Sequence, residues 1–158
     1  MGNIPQRVTL ILGSNMGNRE QNISIAVSLL VTELASCIYS DVTETFMIET
    51  APWGFEADTP FINQAISFVT TCPPELLLKV CQYVEQKMGR EAHSPEYDTS
   101  GKRVYHSRII DIDIALYGNL EIDLPQLKIP HPQIWERDYA KRLLLDLQRL
   151  LPEIQVLP

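Results

Sequence analysis

The sequence predicts an α+β sandwich, an antiparallel sheet with helices on one face and the active site on the other. Three features of the chain point there. Ile110 to Tyr117 alternates with period two, Ile110, Ile112, Ile114 and Leu116 on one side and Asp111, Asp113, Ala115 and Tyr117 on the other, which is the pattern of a strand. Two segments, 18–34 and 73–89, carry apolar residues at helical spacing. The elements follow one another as strand, helix, strand, strand, helix, strand, then a short extended stretch and a last helix. That order fits a ferredoxin-like fold. The 158 residues, without repeat, low-complexity tract or linker, are read as a single domain, 1–158.

Taken in order, Arg7 to Leu12 is a strand stopped by Gly13-Ser14-Asn15. Asn18 caps a helix to about Leu34, with Ile23, Ala26, Val27, Leu30 and Leu34 on its apolar face. Ile38 to Ile48, rich in Thr, Val, Tyr and Phe, is a strand. Thr50 to Pro60 is a loop by its Pro and Gly, and it carries Trp53 and Phe55, aromatics that could wall a flat ligand or fold back on the core. Phe61 to Thr71 is a strand with Ile62, Ile66 and Phe68 on one face and Phe61, Asn63, Ala65 and Ser67 on the other. Pro73-Pro74-Glu75 opens a helix striped by Leu76, Leu77, Val80, Val84 and Met88 and closed by Gly89. Glu91 to Ser107 is polar and without period, a loop whose length marks it as functional or mobile. The Asp-x-Asp strand ends at Gly118-Asn119. Leu120 to Leu124 is a short strand, Leu127 to Pro132 is extended, and Trp135 to Leu150 is the final helix.

Net charge is −7, which argues against a nucleic-acid partner. Basic residues nonetheless cluster, Arg90, Lys102, Arg103 and Arg108 in one stretch and Arg137, Lys141 and Arg142 in another, so a small anionic ligand fits. Three cysteines without metal spacing, no leader-like N-terminus and no apolar run of membrane length point to a cytoplasmic protein with no membrane partner.

The paired carboxylates of Asp111 and Asp113 lie roughly 7 Å apart along a strand and point the same way. They suit Mg²⁺ when phosphates complete its shell. Arg90, Arg108 and Arg137 could grip those phosphates in bidentate fashion, and His131 is held between two prolines. Metal-bridged phosphates with several guanidiniums make a site for phosphoryl transfer. Each residue also has a plain structural alternative, such as an Arg108–Asp111 ion pair or a solvated Arg137.

The chain resembles the 6-hydroxymethyl-7,8-dihydropterin pyrophosphokinases of folate biosynthesis. The resemblance is carried by Gly13-Ser14-Asn15 with Gly17-Asn18, Thr50-x-Pro52-x-Gly54, Phe61-Ile62-Asn63-Gln64-Ala65 and Glu85-x-x-x-Gly89-Arg90. It continues through Arg108-x-x-Asp111-Ile112-Asp113-Ile114 and Ile129-Pro130-His131-Pro132 with Arg137-x-Tyr139. It implies transfer of pyrophosphate from ATP to the pterin hydroxymethyl group, leaving AMP. Asp111 and Asp113 would bind two Mg²⁺, and Arg90 and Arg108 would act on the phosphates as catalytic groups. Glu85, Ile114, His131 and Arg137 would complete the ATP site. Thr50, Pro52, Trp53 and Asn63 would hold the pterin, with Phe61 and Tyr139 stacked on its faces. Two other classes use the same residues: a non-catalytic nucleotide or pterin sensor, and a Mg²⁺-dependent phosphohydrolase. The protein is expected to be a monomer, and the loops 50–60 and 91–107 are expected to close over bound ligands.

Overall fold

The computed structural model describes residues 4–50, 60–89, 96–97, 99–100, 103–104 and 108–156, the pairs 96–97 and 103–104 through their backbone alone. Its central strand is β1, Gln6–Ser14. It pairs antiparallel with β4, Phe61–Thr70, on one side and with β7, Asp111–Tyr117, on the other. β2, Thr43–Glu44, and β3, Ile48–Thr50, share the far edge of β4. The sheet order β2-β4-β1-β7, with α1 (Arg19–Glu33) and α2 (Pro74–Lys87) as connections, is the ferredoxin-like arrangement.

α1 begins where expected: Asn18 caps it, its side chain accepting the Gln21 N–H at 3.1 Å. α1 and α2 cover one face of the sheet. Val8, Leu10, Leu12, Ile66, Phe68, Ile112 and Ile114 from the strands meet Ile23, Leu30, Leu77 and Val84 from the helices. The α2 stripe runs through Leu77, Cys81, Val84 and Glu85, whereas Leu76 is exposed. α3, Asp138–Leu150, begins three residues later than the pattern suggested and packs on the opposite face. Ala140, Leu143, Leu144 and Leu147 close over Ile11, Ala65, Ala115 and Leu116 there. The site face is therefore shared, with α3 over one end of it. Residues 132–136 form turns, and the helix starts only at Asp138.

Four local features differ from the sequence pattern. β1 runs on through Gly13 and Ser14, because both stay in the ladder with Asn63 and Ile62. The expected strand Ile38 to Ile48 breaks into a bridge at Ile38, β2 and β3. At the break Thr45 bonds β4 with its Oγ1, its N–H and its carbonyl, and Phe46 turns to solvent, so the sheet edge is short and irregular. In β7 the register slips between Thr9↔Leu116 and Leu10↔Ile114, which makes Ala115 a β-bulge. Past the bulge the faces swap: Leu116 goes to the α3 side and Tyr117 to the α1/α2 side, the reverse of strict alternation. In the segment read as an aperiodic loop, β5 (Glu96–Tyr97) and β6 (Arg103–Val104) pair as a small hairpin. β8 (Ile122–Leu124) and β9 (Leu127–Ile129) form a second hairpin, as the short strand and extended stretch suggested. All three cysteines are free thiols. Among the described residues no helix is long and apolar enough to cross a membrane.

On α3, Leu144 is fully buried while Leu145 beside it is 47 % exposed. Leu144→Ala should cost about 2–5 kcal/mol in urea unfolding, and Leu145→Ala less than about 0.5 kcal/mol. Equal costs would place the α3 interface elsewhere.

Candidate active site

Residues paired across antiparallel strands project to the same face, so the β1 register decides what meets. Gly13 stands between Asn63 of β4 and Asp111 of β7. One row along, Ile11 stands between Ala65 and Asp113. At the other end Thr50 of β3 pairs with Phe61 of β4. Thr50, Phe61, Asn63, Asp111 and Asp113 thus share the face opposite α1 and α2. Asn63 Nδ2 donates to Thr50 Oγ1 at 2.7 Å. Its Oδ1 lies only 2.7 Å from where a Gly13 Cβ would be, and Phe61 Cδ1 3.5 Å from it. Glycine is what lets a buried amide and an aromatic ring lie flat over β1.

The cationic side is built from the segment that leads into β7. The Asn15 side chain accepts the Arg108 N–H at 2.7 Å, and the Asn15 N–H donates to the Arg108 carbonyl at 3.1 Å. This clamp continues the β1–β7 ladder past Asp111 and leaves Arg108 Nη1 3.3 Å from Asp111 Oδ1. The bulge positions the other side. The Ala115 carbonyl accepts the His131 N–H at 3.0 Å, which brings His131 Nε2 to 3.8 Å from Asp113 Oδ1. Burial and then the nearby Arg137 charge lower the His131 pKa, against a smaller opposing pull from Asp111. The imidazole is therefore neutral at pH 7. Its Nδ1 accepts the Gln133 N–H at 3.2 Å, which leaves the proton on Nε2, facing Asp113.

Arg137 Nη1 donates to the Tyr139 hydroxyl at 2.7 Å, and Nη2 donates to Gln133 Oε1. Burial, chiefly, raises the pKa of that phenol, so it stays protonated. Asp113, His131, Gln133, Arg137 and Tyr139 line one recess, floored by Ile11 and Ala115.

Two expected residues take other places. The Ile114 side chain points to the α1/α2 core, so only its main chain, on the outer edge of β7, is near this face. Glu85 is buried on α2 and accepts the Ile112 N–H at 2.9 Å, occupying that same edge. Arg90, Pro52 and Trp53 lie outside the described residues, as do nearly all residues of the two loops expected to close. Asn15 and Gln133 enter the site unforeseen. Gly13-Ser14-Asn15 entered the reading as a strand stop and as a carrier of the resemblance, with no role given to Asn15, and nothing in the spacing singled out Gln133.

The sequence profile described as 7,8-dihydro-6-hydroxymethylpterin-pyrophosphokinase (HPPK) matches residues 9–149. The chain belongs to the HPPK family. It is 36 % identical over 140 residues to a 2-amino-4-hydroxy-6-hydroxymethyldihydropteridine pyrophosphokinase of Porphyromonas gingivalis, covering 88 % of each chain. A Bacillus subtilis protein of the same name is 34 % identical over 128 residues, 81 % of this chain and 70 % of that one. A folate synthesis bifunctional protein of Arabidopsis thaliana is 36 % identical over 148 residues, 90 % of this chain but 27 % of that one. In fold the chain is similar to Plasmodium falciparum HPPK-DHPS, with a TM-score of 0.62 at 16 % identity. That match covers 94 % of this chain and 39 % of the Plasmodium chain. At such low identity it speaks for the architecture alone, and the architecture is the HPPK one derived above.

Gly13→Ala should push the Asn63 amide off Thr50 in this HPPK fold at a modest stability cost, about 1 kcal/mol. The check is the Asn63 side-chain NH₂ resonance, which should move while the melting transition stays cooperative. An unmoved resonance would contradict the close contact.

Proposed function

We propose that Thr50, Phe61 and Asn63 bind the pterin, and that Asp111, Asp113, Arg108, His131 and Arg137 receive the triphosphate end of ATP. The family's activity, pyrophosphoryl transfer to hydroxymethyldihydropterin in folate biosynthesis, is this chain's activity. The observation that supports the assignment of residues is the row across the sheet: an amide, a glycine and a carboxylate side by side, with a ring at one end and a second carboxylate at the other.

A flat heterocycle needs a ring to lie on and a fixed polar partner at its edge. Phe61 supplies the first. Asn63, held by Thr50, supplies the second with little reorganisation on binding. Tyr139 offers a second ring, anchored through its hydroxyl to Arg137, so a pterin-side ring and a nucleotide-side cation are physically joined.

The donor set fits Mg²⁺. Asp111 and Asp113 present hard oxygens from one strand face with side chains 29 % and 31 % exposed. Among the described residues no group of three or more His, Cys, Asp or Glu could enclose an ion. A cation held by two carboxylates keeps room for waters and phosphate oxygens, which is how Mg²⁺ is usually held. Bound there, Mg²⁺ would neutralise phosphate charge and lower the cost of attack by the pterin hydroxyl. Arg108, fixed through its own backbone by Asn15, can turn its guanidinium from Asp111 to a phosphate without moving the strand. His131 presents one N–H donor beside Asp113. Arg90, by resemblance, would add a third guanidinium to those of Arg108 and Arg137.

The test is a chromatographic assay with ATP, Mg²⁺ and 6-hydroxymethyl-7,8-dihydropterin, in which AMP should form only when all three are present. Asp113→Ala should lower turnover at least about 10³-fold with the melting transition preserved. AMP formation at the parent rate would remove Asp113 from the metal site. ATP breakdown without pterin would instead mean that water is the acceptor.

A further inference from the structure

Arg19 occupies the first turn of α1, where the helix dipole disfavours a cation. Its guanidinium has specific acceptors that offset this. Nη1 donates to the Pro60 carbonyl at 2.8 Å, and Nη2 lies 3.3 Å from Glu49 Oε2. Glu49 directly precedes Thr50 on β3, and Pro60 directly precedes Phe61 on β4. Thr50 and Phe61 are themselves cross-strand partners. One planar fork therefore grips both strands next to the rung that carries two pterin-side residues. An arginine can do this because its donors are fixed in one plane; a lysine, as a point charge on a flexible stem, cannot span both acceptors as well. Phe61 is restrained on its other side, where its ring closes on Gly13.

We propose that Arg19 is a positioning residue for the pterin, setting the spacing of the Phe61 ring from the Thr50–Asn63 pair without acting on the nucleotide end. This rests on the assignment of Thr50, Phe61 and Asn63 to the pterin. Arg19 acts through β3 and β4, whereas Asp111, Asp113 and Arg108 hang on β7 and the Asn15 clamp. Loss of the brace should therefore divide the two ligands: heterocycle affinity falls and nucleotide affinity holds. A brace that serves only stability would weaken both together or neither.

The experiment titrates parent, Arg19→Met, Arg19→Lys and Glu49→Ala with 6-hydroxymethylpterin and, separately, with α,β-methylene-ATP and Mg²⁺, below the melting temperature of each variant. Arg19→Met should weaken pterin binding about ten-fold, the scale of one charge-assisted hydrogen bond, and change nucleotide binding by less than about two-fold. Arg19→Lys should recover part of the loss, and Glu49→Ala should show a smaller loss of the same kind. An unchanged pterin affinity in folded Arg19→Met, or an equal loss for both ligands, overturns the proposal. If Arg19→Met does not fold, Glu49→Ala decides by the same comparison. A parent protein that does not bind the pterin overturns the residue assignment itself and the proposal with it, a result distinct from a parent that binds and a variant that binds as well.

Discussion

The two-sided antiparallel pairing of β1 is the constraint from which the rest follows. A strand paired on both edges cannot slip against one neighbour without breaking with the other, and a one-residue slip would turn every side chain to the wrong face. Gly13 is the residue where this matters most. It is paired with Asn63 on one side and Asp111 on the other, and its missing Cβ is the space into which the Asn63 amide leans. The Asn63 amide and the Asp111 carboxylate are thereby set on either side of Gly13 by backbone hydrogen bonds. The same register buries Leu10, Leu12, Ile66 and Ile112 under α1 and α2. Each such fully buried side chain stabilises the fold by about 1.5–3 kcal/mol, so core and site are held by one ladder.

The bulge at Ala115 is where fold and chemistry are joined. An extra residue in an edge strand normally leaves a carbonyl without a ladder partner. Here that carbonyl takes the His131 N–H, which ties the turn after β9 to the middle of β7 and sets the imidazole beside Asp113. The same irregularity sends Leu116 to α3 and Tyr117 to the other core. The Tyr117 hydroxyl donates to the Cys72 carbonyl there, so the phenol is satisfied inside an apolar layer. The outer edge of β7 is further occupied by Glu85 at Ile112. An exposed edge is a pairing hazard, and the His131 turn and α2 together cover this one.

Charge is distributed unevenly for an anionic ligand in an acidic protein. With a net charge of −7 the whole molecule repels phosphates at long range, but salt screens such effects beyond roughly 10 Å. What acts at the site is local: Arg108 at Asp111, Arg137 between Gln133 and Tyr139, and a neutral His131 that adds a donor without adding charge. Asp111 keeps Arg108 ordered, and a metal–phosphate group that engaged the carboxylates would release it toward the phosphates. Ion pairs of this partly exposed kind contribute little stability on their own, so exchanging partners costs little.

Much of this was written in local pattern. The Asn18 cap and the α1 stripe, the alternation of β4 that puts Phe61, Asn63 and Ala65 on one face, and the shared direction of Asp111 and Asp113 all follow from side-chain geometry within a few residues. The family resemblance rested on short motifs of the same local kind. Tertiary structure decided the rest, because each remaining feature is settled by partners distant in the chain. Strict alternation through Leu116 and Tyr117 failed because β1 and the His131 turn compete for the backbone of β7, and the bulge serves both. The strand from Ile38 to Ile48 broke because Thr45 can satisfy β4 with a side chain as well as with its backbone. Glu85 and Ile114 could be named from the motifs but not placed, since only packing assigns one to a strand edge and the other to the core. Sequence determined which groups exist and which way neighbours along one strand point. The register of three strands determined which of them meet, because hydrogen bonds between strands carry no mark in the order of residues along either one.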